Sequence, residues 1–576
     1  MQNYHKYIEK YWKLFLTAIF FLTLEALADL TQPMLMARIV DQGVTTGEVD
    51  TIITIGLTML LVTFLGAIAA CTRSILASRV SQDFGMQLRG DLYKKIHHLS
   101  FSSIDRQNRA SLITRMTNDV TQVQNFLNGT MRIFVKAPLV GIGAILMAMR
   151  LNLRLSTVFL FILPVVAFII FKTMSKTFPI FTKMQHALDA VNSRMREYLS
   201  GVRVVKAFNR FDFENRQFAA TNHQLADIST SAMKWASLMN PGIALNLNMG
   251  LLIILWLGGR FIETGDAAIG EVIAFTTYMT QIAGALGTLS MVFTMFVRAK
   301  ASAIRIGEVL NEDEVVEQHM TDDQPPITGQ ISFEDVSFSF SNNQTLKNIT
   351  FTSIAGHQLG IIGTTGSGKT TLVNLLMKFY EPTTGAIKID NSDVKQIPAA
   401  FLREHVAVVP QKTVLFSGTI MENLQWGKTT ASFEDIRTAA QTAQIDDYIM
   451  SLPEGYNARV GQGGVNFSGG QRQRLAIARA LIRKPSILIL DDSLSAVDAN
   501  TEASIKEALA NYPQKISMII IGQKIASVAG YDQILVLDHG EVAAIGTHES
   551  LLASSIIYQE IYESQIGKGG VAHESK

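Results

Sequence analysis

The stretch Gly363-Thr-Thr-Gly-Ser-Gly-Lys369-Thr370 decides the fold of the second half of this chain. β-Branched and alternating runs precede it from Val336 onward, and the apolar run that begins at Thr371 predicts a helix. A glycine-rich loop between a strand and a helix directs backbone N–H groups at phosphates, while Lys369 reaches the β- and γ-phosphates and the Thr370 hydroxyl reaches Mg²⁺. The sequence therefore predicts a site for ATP or GTP.

Length and composition indicate several domains, one of them in lipid. A chain of 576 residues exceeds the roughly 250 to 300 residues at which single cores stop growing. Charged residues make up only 17%, against about 25% in soluble proteins, and hydrophobic residues make up 48%. The net charge of +1 gives no global field that would attract nucleic acid, and a single cysteine excludes an internal disulfide framework.

Six stretches of the first half are apolar and long enough, at about 20 residues each, to cross a bilayer as helices. They lie near 14–40, 52–77, 131–149, 155–174, 242–262 and 269–296. Short links join them in pairs, whereas the links between pairs are long and favour helix. We therefore expect three short loops on one side of the membrane, with both termini and two long helical excursions on the other.

The positions of Lys and Arg predict which side is cytoplasmic. The N-terminus is polar and mixed in charge, which is typical of a cytoplasmic lead-in and not of a cleaved signal. Basic residues precede the first span and fill both excursions, and the short loop 41–51 is acidic. Four arginines at outer ends run against the rule: Arg38, Arg150, Arg154 and Arg260. On balance the termini and the excursions are predicted to be cytoplasmic.

Two carboxylates, Glu25 and Asp29, lie four residues apart within the first span and so share one helix face. Carboxylates at membrane depth are costly and usually face a cavity or a partner. Two interpretations stay open at this point: a role in binding a cationic substrate, or a structural pairing with a neighbouring helix.

The second half reads as a soluble α/β domain. An acidic, proline-bearing segment at 311–330 predicts a linker between a membrane domain at 1–310 and this domain at 331–565, with a flexible tail at 566–576. The aliphatic run Ile487–Leu490 ends in two carboxylates, as expected of a buried parallel strand. Asp491 is thereby placed to hold the Mg²⁺ that accompanies a nucleotide.

A Ser-Gly-Gly turn, at Ser468 to Gly470, precedes a helix-forming run. Free N–H groups and the helix dipole at such a turn favour an anion. Simple capping of the helix is the alternative interpretation.

These motifs, in this order, resemble the ATP-binding cassette (ABC) family over nearly the whole chain. The phosphate loop is 363–370, the Q-loop glutamine is Gln411, the signature is 467–471, the Walker B strand is 487–491 and the D-loop is 495–498. Six spans before the cassette are typical of the exporter type. The resemblance implies an α-helical six-span transmembrane domain followed by an α/β P-loop nucleotide-binding domain, with coupling helices near 101–112 and 207–214.

The resemblance also implies a role for each motif residue. ATP would be contacted by Phe340, Gly363, Thr364, Thr365, Gly366, Ser367, Gly368, Lys369, Thr370, Thr371 and Gln411, with Phe340 stacking on adenine in place of the common Tyr. Mg²⁺ would be held by Thr370, Gln411 and Asp491. A partner's ATP would be met by Phe467, Ser468, Gly469, Gly470 and Gln471, and the D-loop would comprise Ser495, Ala496, Val497 and Asp498.

Two catalytic positions depart from the family pattern. Asp492 stands where the family usually has the Glu that polarises the attacking water, and Gln523 replaces the switch histidine. The shorter carboxylate is retracted by one methylene, and a displacement of about 1 Å can cost on the order of 10²-fold in rate. Glutamine can donate a hydrogen bond to the γ-phosphate but cannot carry the charge of His.

The resemblance therefore implies one half of a heterodimeric bacterial multidrug exporter in the inner membrane, with a degenerate ATP site of its own. A homodimer is the less favoured assembly. The expected partners besides the second half-transporter are the lipid bilayer and, as substrates, hydrophobic or amphipathic small molecules. No nucleic acid is expected. The alternatives are a lipid or peptide exporter half and a regulatory ATP-sensing membrane subunit.

Overall fold

The computed structural model describes residues 5–312, 325–340 and 343–566. The chain divides into two compact units, one of Met1–His97 with Gln107–Glu312 and one of His98–Arg106 with Asp313–Lys576. The predicted linker 311–330 lies outside the described residues over 313–324, and the predicted tail lies outside them from 567 onward.

The first unit is helical. Its α-helices are α1 (His5–Arg38), α2 (Val49–His97), α3 (Phe101–Gln107), α4 (Arg109–Thr114), α5 (Val120–Gly129), α6 (Lys136–Leu151), α7 (Leu153–Ala207), α8 (Phe211–Ser237), α9 (Met239–Glu263) and α10 (Ile269–Leu310), where α3 is divided between the units. Wider π-helical turns at Ile39–Val44, Arg115–Asp119 and Thr130–Phe134 continue or join them. At about 1.5 Å per residue, the 49 residues of α2 and the 55 of α7 are more than twice as long as the roughly 30 Å hydrocarbon core of a bilayer is thick.

Five of the predicted spans lie in helical segments that are long and apolar enough to cross a membrane. These segments are Glu9–Val44, Val49–His97, Arg109–Leu151, Leu153–Ala207 and Phe211–Glu263. The sixth predicted span, 269–296, lies in α10, and α10 is not among these candidates in the described part of the chain. The predicted count of six is therefore not confirmed. The helices α2 and α7 continue without interruption beyond the predicted spans 52–77 and 155–174.

The apolar side chains of the first unit divide between a core and an outer surface. The core between α6, α7, α9 and α10 includes the fully buried Leu155, Phe275 and Tyr278, and the Tyr278 hydroxyl donates to the carbonyl of Leu30 at 2.8 Å. Large apolar side chains such as Phe64 and Phe161 are 64% and 75% exposed, which is appropriate for contact with lipid.

The second unit is built on two sheets. Its strands are β1 (Ile331–Phe340), β2 (Asn343–Ser353), β3 (Gln358–Gly363), β4 (Thr384–Ile389), β5 (Ser392–Asp393), β6 (Val406–Val409), β7 (Gly418–Thr419), β8 (Arg459–Val460), β9 (Ile487–Asp491), β10 (Ser517–Ile521), β11 (Gln533–Asp538) and β12 (Glu541–Gly546). The order β2-β1-β4-β5 forms an antiparallel sheet, and β12-β11-β3-β10-β9-β6 forms a sheet that is parallel except for its edge strand β12. The strands β7 and β8 form a separate ribbon.

Helices connect these strands. They are α11 (Lys369–Leu376), α12 (Ala399–His405), α13 (Ile420–Gln425), α14 (Phe433–Thr442), α15 (Asp446–Ser451), α16 (Gly469–Leu481), α17 (Ala499–Ala510), α18 (His548–Ser554) and α19 (Ile556–Ile566), with single 3₁₀ turns at Gly455–Asn457, Gln462–Gly464 and Ile525–Ser527.

The order of the central strands brings distant motifs to one edge. β3, β10 and β9 are neighbours, and Ile521 pairs in register with both Ile361 and Asp491. Their aliphatic side chains are almost entirely buried, because both faces of a parallel sheet are covered. The carboxyl ends of the three strands therefore place the phosphate loop, the acidic pair and the segment of Gln523 side by side.

Candidate nucleotide site

The phosphate loop runs from the end of β3 to the start of α11, as the sequence predicts. The ammonium group of Lys369 lies inside the loop, where Nζ donates to the carbonyl oxygens of Gly363 at 3.0 Å and Thr364 at 2.8 Å. Burial lowers the pKa of Lys369, and the nearby charges of Asp491 and Asp492 oppose that shift. A cation held at the centre of a glycine-rich loop is suited to phosphate oxygens.

Two glycines of the loop are required by its geometry. A Cβ at Gly363 would lie 2.0 Å from the carbonyl oxygen of Leu537, so the backbones approach too closely for any side chain. Gly368 has a φ of +98°, and a Cβ there would lie 2.5 Å from the side chain of Leu346. These positions explain why the loop needs glycine where the motif has it.

The predicted Mg²⁺ ligands Thr370 and Asp491 are in direct contact. The Thr370 hydroxyl donates to Oδ2 of Asp491 at 3.0 Å, and Asp491 is only 4% exposed. Burial is the main cause that raises the pKa of Asp491, and the charge of Asp492 adds to it, while the Thr370 hydrogen bond opposes the shift. A hydroxyl and one carboxylate at the end of a strand fit Mg²⁺, which keeps several water ligands.

Asp492, the next residue, has different surroundings. Its Oδ2 accepts from Nε2 of Gln411 at 3.0 Å and from Nε2 of Gln523 at 2.8 Å. Its backbone has a φ of +49°, an uncommon conformation for Asp, which turns the chain away from β9. The structure thus brings three predicted site residues together, and Gln411 contacts Asp492 rather than the Thr370–Asp491 pair.

A contact that the sequence did not predict supports Gln523. The side chain of Gln565, in α19, donates to the carbonyl of Gln523 at 2.9 Å and accepts from the N–H of Ile525 at 2.8 Å. No local pattern indicates this contact, because the two segments are about 40 residues apart.

The predicted adenine platform, Phe340, lies at the end of β1 and is 40% exposed. Its ring meets the ring of Tyr380 edge to face at 5.2 Å and that of Phe338 at 4.7 Å. These neighbouring rings restrict the orientation of Phe340, whose predicted stacking on adenine stays a prediction.

The signature residues form the N-terminus of α16. The Ser468 hydroxyl accepts from the N–H of Gln471 at 3.2 Å, and the Gln471 side chain accepts from the N–H of Ser468 at 2.8 Å. Ser468 thus caps α16 in a capping box, and the N–H groups of Gly469 and Gly470 lie at the N-terminus of that helix. Among the described residues, no hydrogen bond joins 467–471 to the phosphate loop.

The D-loop follows the acidic pair and contacts α16. Ala496 donates its N–H to Gln473 of that helix at 3.1 Å, while the Ser495 hydroxyl donates to the carbonyl of Asp492 at 2.8 Å. Asp498 caps α17 by accepting from the N–H of Thr501 at 3.0 Å, and that hydrogen bond lowers the pKa of Asp498. Val497 packs against the hydrophobic core that includes residues of α16, so each of the four D-loop residues has a defined contact.

The two carboxylates of the first span lie within a cluster of four charges. Glu25 is 7% exposed and accepts from Nε of Arg73 and Nζ of Lys136, each at 2.6 Å. Asp29 pairs with the same Lys136 at 2.9 Å, and its side chain is 47% exposed. The structure therefore shows helix-to-helix pairing for Glu25, with partners from α2 and α6, and leaves Asp29 as the more accessible of the two.

Comparisons with known proteins agree with these observations. The model of the ABC transporter transmembrane region matches residues 15–286, and the ABC transporter model matches residues 346–495. An uncharacterized ABC transporter ATP-binding protein of Bacillus subtilis, YfiB, is 39% identical over 573 residues, which is 99% of each chain. An ATP-dependent lipid A-core flippase of Syntrophus aciditrophicus is 29% identical and covers 85% of this chain and 81% of its own.

A solved structure is similar over the whole length. The structure of a bacterial Atm1-family ABC exporter with ATP bound covers 98% of this chain and 99% of its own, with a TM-score of 0.78 and 26% identity. The arrangement of helical first unit and two-sheet second unit is thus shared with a solved exporter.

Proposed function

Because this chain belongs to the ABC transporter family, as an exporter with transmembrane and ATP-binding parts, we propose that it forms one half of a heterodimeric exporter whose own ATP site turns over slowly. Its signature would complete a faster site on the partner. ABC exporters act as dimers in a membrane and couple transport to ATP hydrolysis, and the proposal assigns the two ATP sites of such a dimer unequal roles.

The observation that carries the proposal is the set of contacts at Asp492. One of its two oxygens, Oδ2, already accepts hydrogen bonds from Gln411 and Gln523, which fill both lone pairs of that oxygen. A water molecule that used this oxygen as its base would have to displace an amide. The carboxylate is also one methylene shorter than the usual glutamate, and positioning errors of about 1 Å can cost on the order of 10²-fold in rate.

The phosphate-holding side of the site supports tight binding. Lys369 would meet the phosphates, the N–H groups of the loop would surround them, and Thr370 with Asp491 would hold Mg²⁺. Bound Mg²⁺ neutralises charge on the phosphate oxygens. The protein residues on this side bind and orient the nucleotide, whereas Asp492 and Gln523 are left with the poorer geometry for activating water.

The signature supports a role toward a second chain. Its capping box is formed, and no hydrogen bond within the described part of the chain links it to the phosphate loop. In a dimer the N–H groups of Gly469 and Gly470 would stabilise the phosphates of the partner's nucleotide. A homodimer would place the same Asp492 and Gln523 in both sites, so it would hydrolyse ATP slowly at each.

Amphipathic or hydrophobic compounds are the substrate class that we propose, with multidrug transport as the leading form. The relative named as a lipid A-core flippase favours lipid export as the second candidate. Asp29 is the more accessible carboxylate for a cationic substrate group, whereas Glu25 serves the pairing with Arg73 and Lys136. An ATP-sensing subunit without transport is the remaining alternative.

Efflux and ATPase assays on purified, reconstituted protein test the proposal. The chain alone should show little ATPase activity, and the pair with its natural partner should show substrate-stimulated hydrolysis and efflux of a fluorescent amphiphile. The matched control is the transporter assembled with its natural partner, in which this chain carries Lys369→Ala. Vigorous, cooperative hydrolysis by this chain as a homodimer contradicts the proposal, and stimulated hydrolysis without efflux of any amphiphile favours the sensor.

A further inference from the structure

The side chain of Gln565, in the C-terminal helix α19, forms hydrogen bonds with the segment that carries Gln523. Gln565 donates from Nε2 to the carbonyl of Gln523 at 2.9 Å and accepts at Oε1 from the N–H of Ile525 at 2.8 Å. The side-chain amide therefore pairs with the main chain on both sides of Lys524. Two hydrogen bonds of opposite sense fix both the position and the orientation of that backbone segment.

The segment that Gln565 holds also contacts Asp492. The side chain of Gln523 donates to Asp492 at 2.8 Å, and the N–H of Gly522 donates to the carbonyl of Ile361 at 3.1 Å. The segment is thus held on one side by β3 and on the other by Gln565. Gln565 therefore adds a further anchor to the backbone that aims Gln523.

Helix α19 is itself firmly placed. Tyr558 is fully buried, and its hydroxyl lies 2.7 Å from Nδ1 of His548, while burial raises its pKa to about 12. The same apolar cluster contains Ile525 and Ile362, and Ile362 directly precedes the phosphate loop. The helix, the segment of Gln523 and the end of β3 share one small core, so Gln565 projects from a rigid base.

We propose that Gln565 is a positioning residue for the ATP site, through which α19 sets the placement of Gln523. The residue acts through its hydrogen bonds to the backbone of Gln523 and Ile525. This inference rests on the proposed place of Gln523 opposite the γ-phosphate. It does not depend on a slow site or on a heterodimer.

Two substitutions of Gln565, with one control on the same helix, test the two hydrogen bonds. Gln565→Met keeps the length of the side chain and removes both bonds, while Gln565→Glu keeps the acceptor for Ile525 and loses the donor to Gln523. The control is Gln559→Met on the same helix, where Gln559 donates to the carbonyl of Leu552 at 2.5 Å, away from Gln523.

Hydrogen–deuterium exchange of the peptide that contains Ile525 is the first measurement, on the full-length transporter in lipid nanodiscs. Loss of its acceptor should make the Ile525 amide exchange about fivefold faster in Gln565→Met, since a hydrogen bond contributes roughly 1 kcal/mol. Gln565→Glu should stay near the wild-type rate, and so should Gln559→Met. Equal exchange in Gln565→Met and Gln559→Met overturns the proposal.

The second measurement is the dissociation rate of radiolabelled ATP from the same samples. Gln565→Met should release ATP about threefold faster, in line with one weakened hydrogen bond to phosphate. In a Gln523→Ala background the same substitution should add nothing, because Gln565 acts through Gln523. An additive effect overturns the proposal. If the wild type releases ATP as fast as Lys369→Ala does, the proposal that this chain's own site retains ATP fails. The hydrogen–deuterium exchange measurement still decides the role of Gln565 in that case.

Discussion

Asp491 and Asp492 are adjacent in sequence, yet the two sides of the ATP site that they serve differ in how they are built. Asp491 is 4% exposed at the end of β9 and bonds to Thr370 of the phosphate loop. Asp492 bonds to two glutamines that come from separate segments, Gln411 and Gln523. The phosphate loop and Asp491 match the family pattern, whereas the second side departs from it at Asp492 and Gln523. The difference teaches that the groups proposed to bind ATP and the groups proposed to activate water are positioned by separate segments of the chain.

The largest effect is expected on the binding side. Lys369→Ala should weaken ATP binding at this chain's own site by about 100-fold, because hydrogen bonds to charged groups contribute roughly 1.5 to 3 kcal/mol each. Equilibrium binding of radiolabelled ATP measures the change. The control is Lys484→Ala, which removes an exposed lysine paired with Asp435 at 2.8 Å and should leave affinity unchanged. Unaltered affinity in Lys369→Ala would show that nucleotide does not bind at the phosphate loop.

Restoring the residues that the family usually has at positions 492 and 523 should raise the rate of ATP hydrolysis. The double variant Asp492→Glu with Gln523→His should increase ATP turnover on the order of tenfold to a hundredfold, since the longer carboxylate reaches further toward water. Steady-state phosphate release measures it. Asp492→Asn with Gln523→His is the control, and it should give no rise because the carboxylate is gone. No gain in the first variant would mean that these positions do not limit the rate.

The signature offers a third comparison, between two similar helix caps. Ser468→Ala and Ser432→Ala each remove a capping box and should each cost about 1 kcal/mol of stability. Only Ser468→Ala should lower ATP turnover of the assembled transporter, by about tenfold if one hydrogen bond to phosphate is lost. Equal turnover in the two variants would limit Ser468 to capping.

The smallest expected effect is on stability at Asp491. Burial raises the pKa of this carboxyl above its ordinary value of 3.8, so the ionised form is disfavoured in the folded protein. At pH 7, without Mg²⁺ or nucleotide, Asp491→Asn should therefore raise the melting temperature. The gain should shrink as the pH falls toward the ordinary pKa, where the wild-type carboxyl takes up a proton. A melting temperature that falls at pH 7 would show that the charge stabilises the fold.

The sequence predicted the binding side in detail because its parts are contiguous. A strand, a glycine loop and a helix follow one another from Gln358 to Leu376, and local periodicity and turn chemistry identify each. The strand β9 could be predicted in the same way, because it is a short aliphatic run that ends in two carboxylates. The family resemblance then supplied the order of motifs, and the matches to both ABC transporter models confirmed the family.

Contacts between distant segments could not be predicted in the same way. Glu25 takes partners 48 and 111 residues away, Arg73 and Lys136, and the sequence indicated only that some partner was needed. Two amide side chains donate hydrogen bonds to Asp492, and Gln565 holds the backbone of Gln523. These contacts depend on how β9, β10 and α19 pack. Such pairings follow from tertiary packing, which local patterns do not encode.

The most direct test of the central claim identifies the nucleotide that this chain's own site retains. The assembled transporter is supplied with radiolabelled ATP and Mg²⁺ for many turnovers, washed rapidly and extracted, and the nucleotide lost on Lys369→Ala substitution in this chain is assigned to its site. We predict that this nucleotide is intact ATP, present at about one per chain. Recovery of ADP there, at the same rate as at the partner's site, would contradict the account.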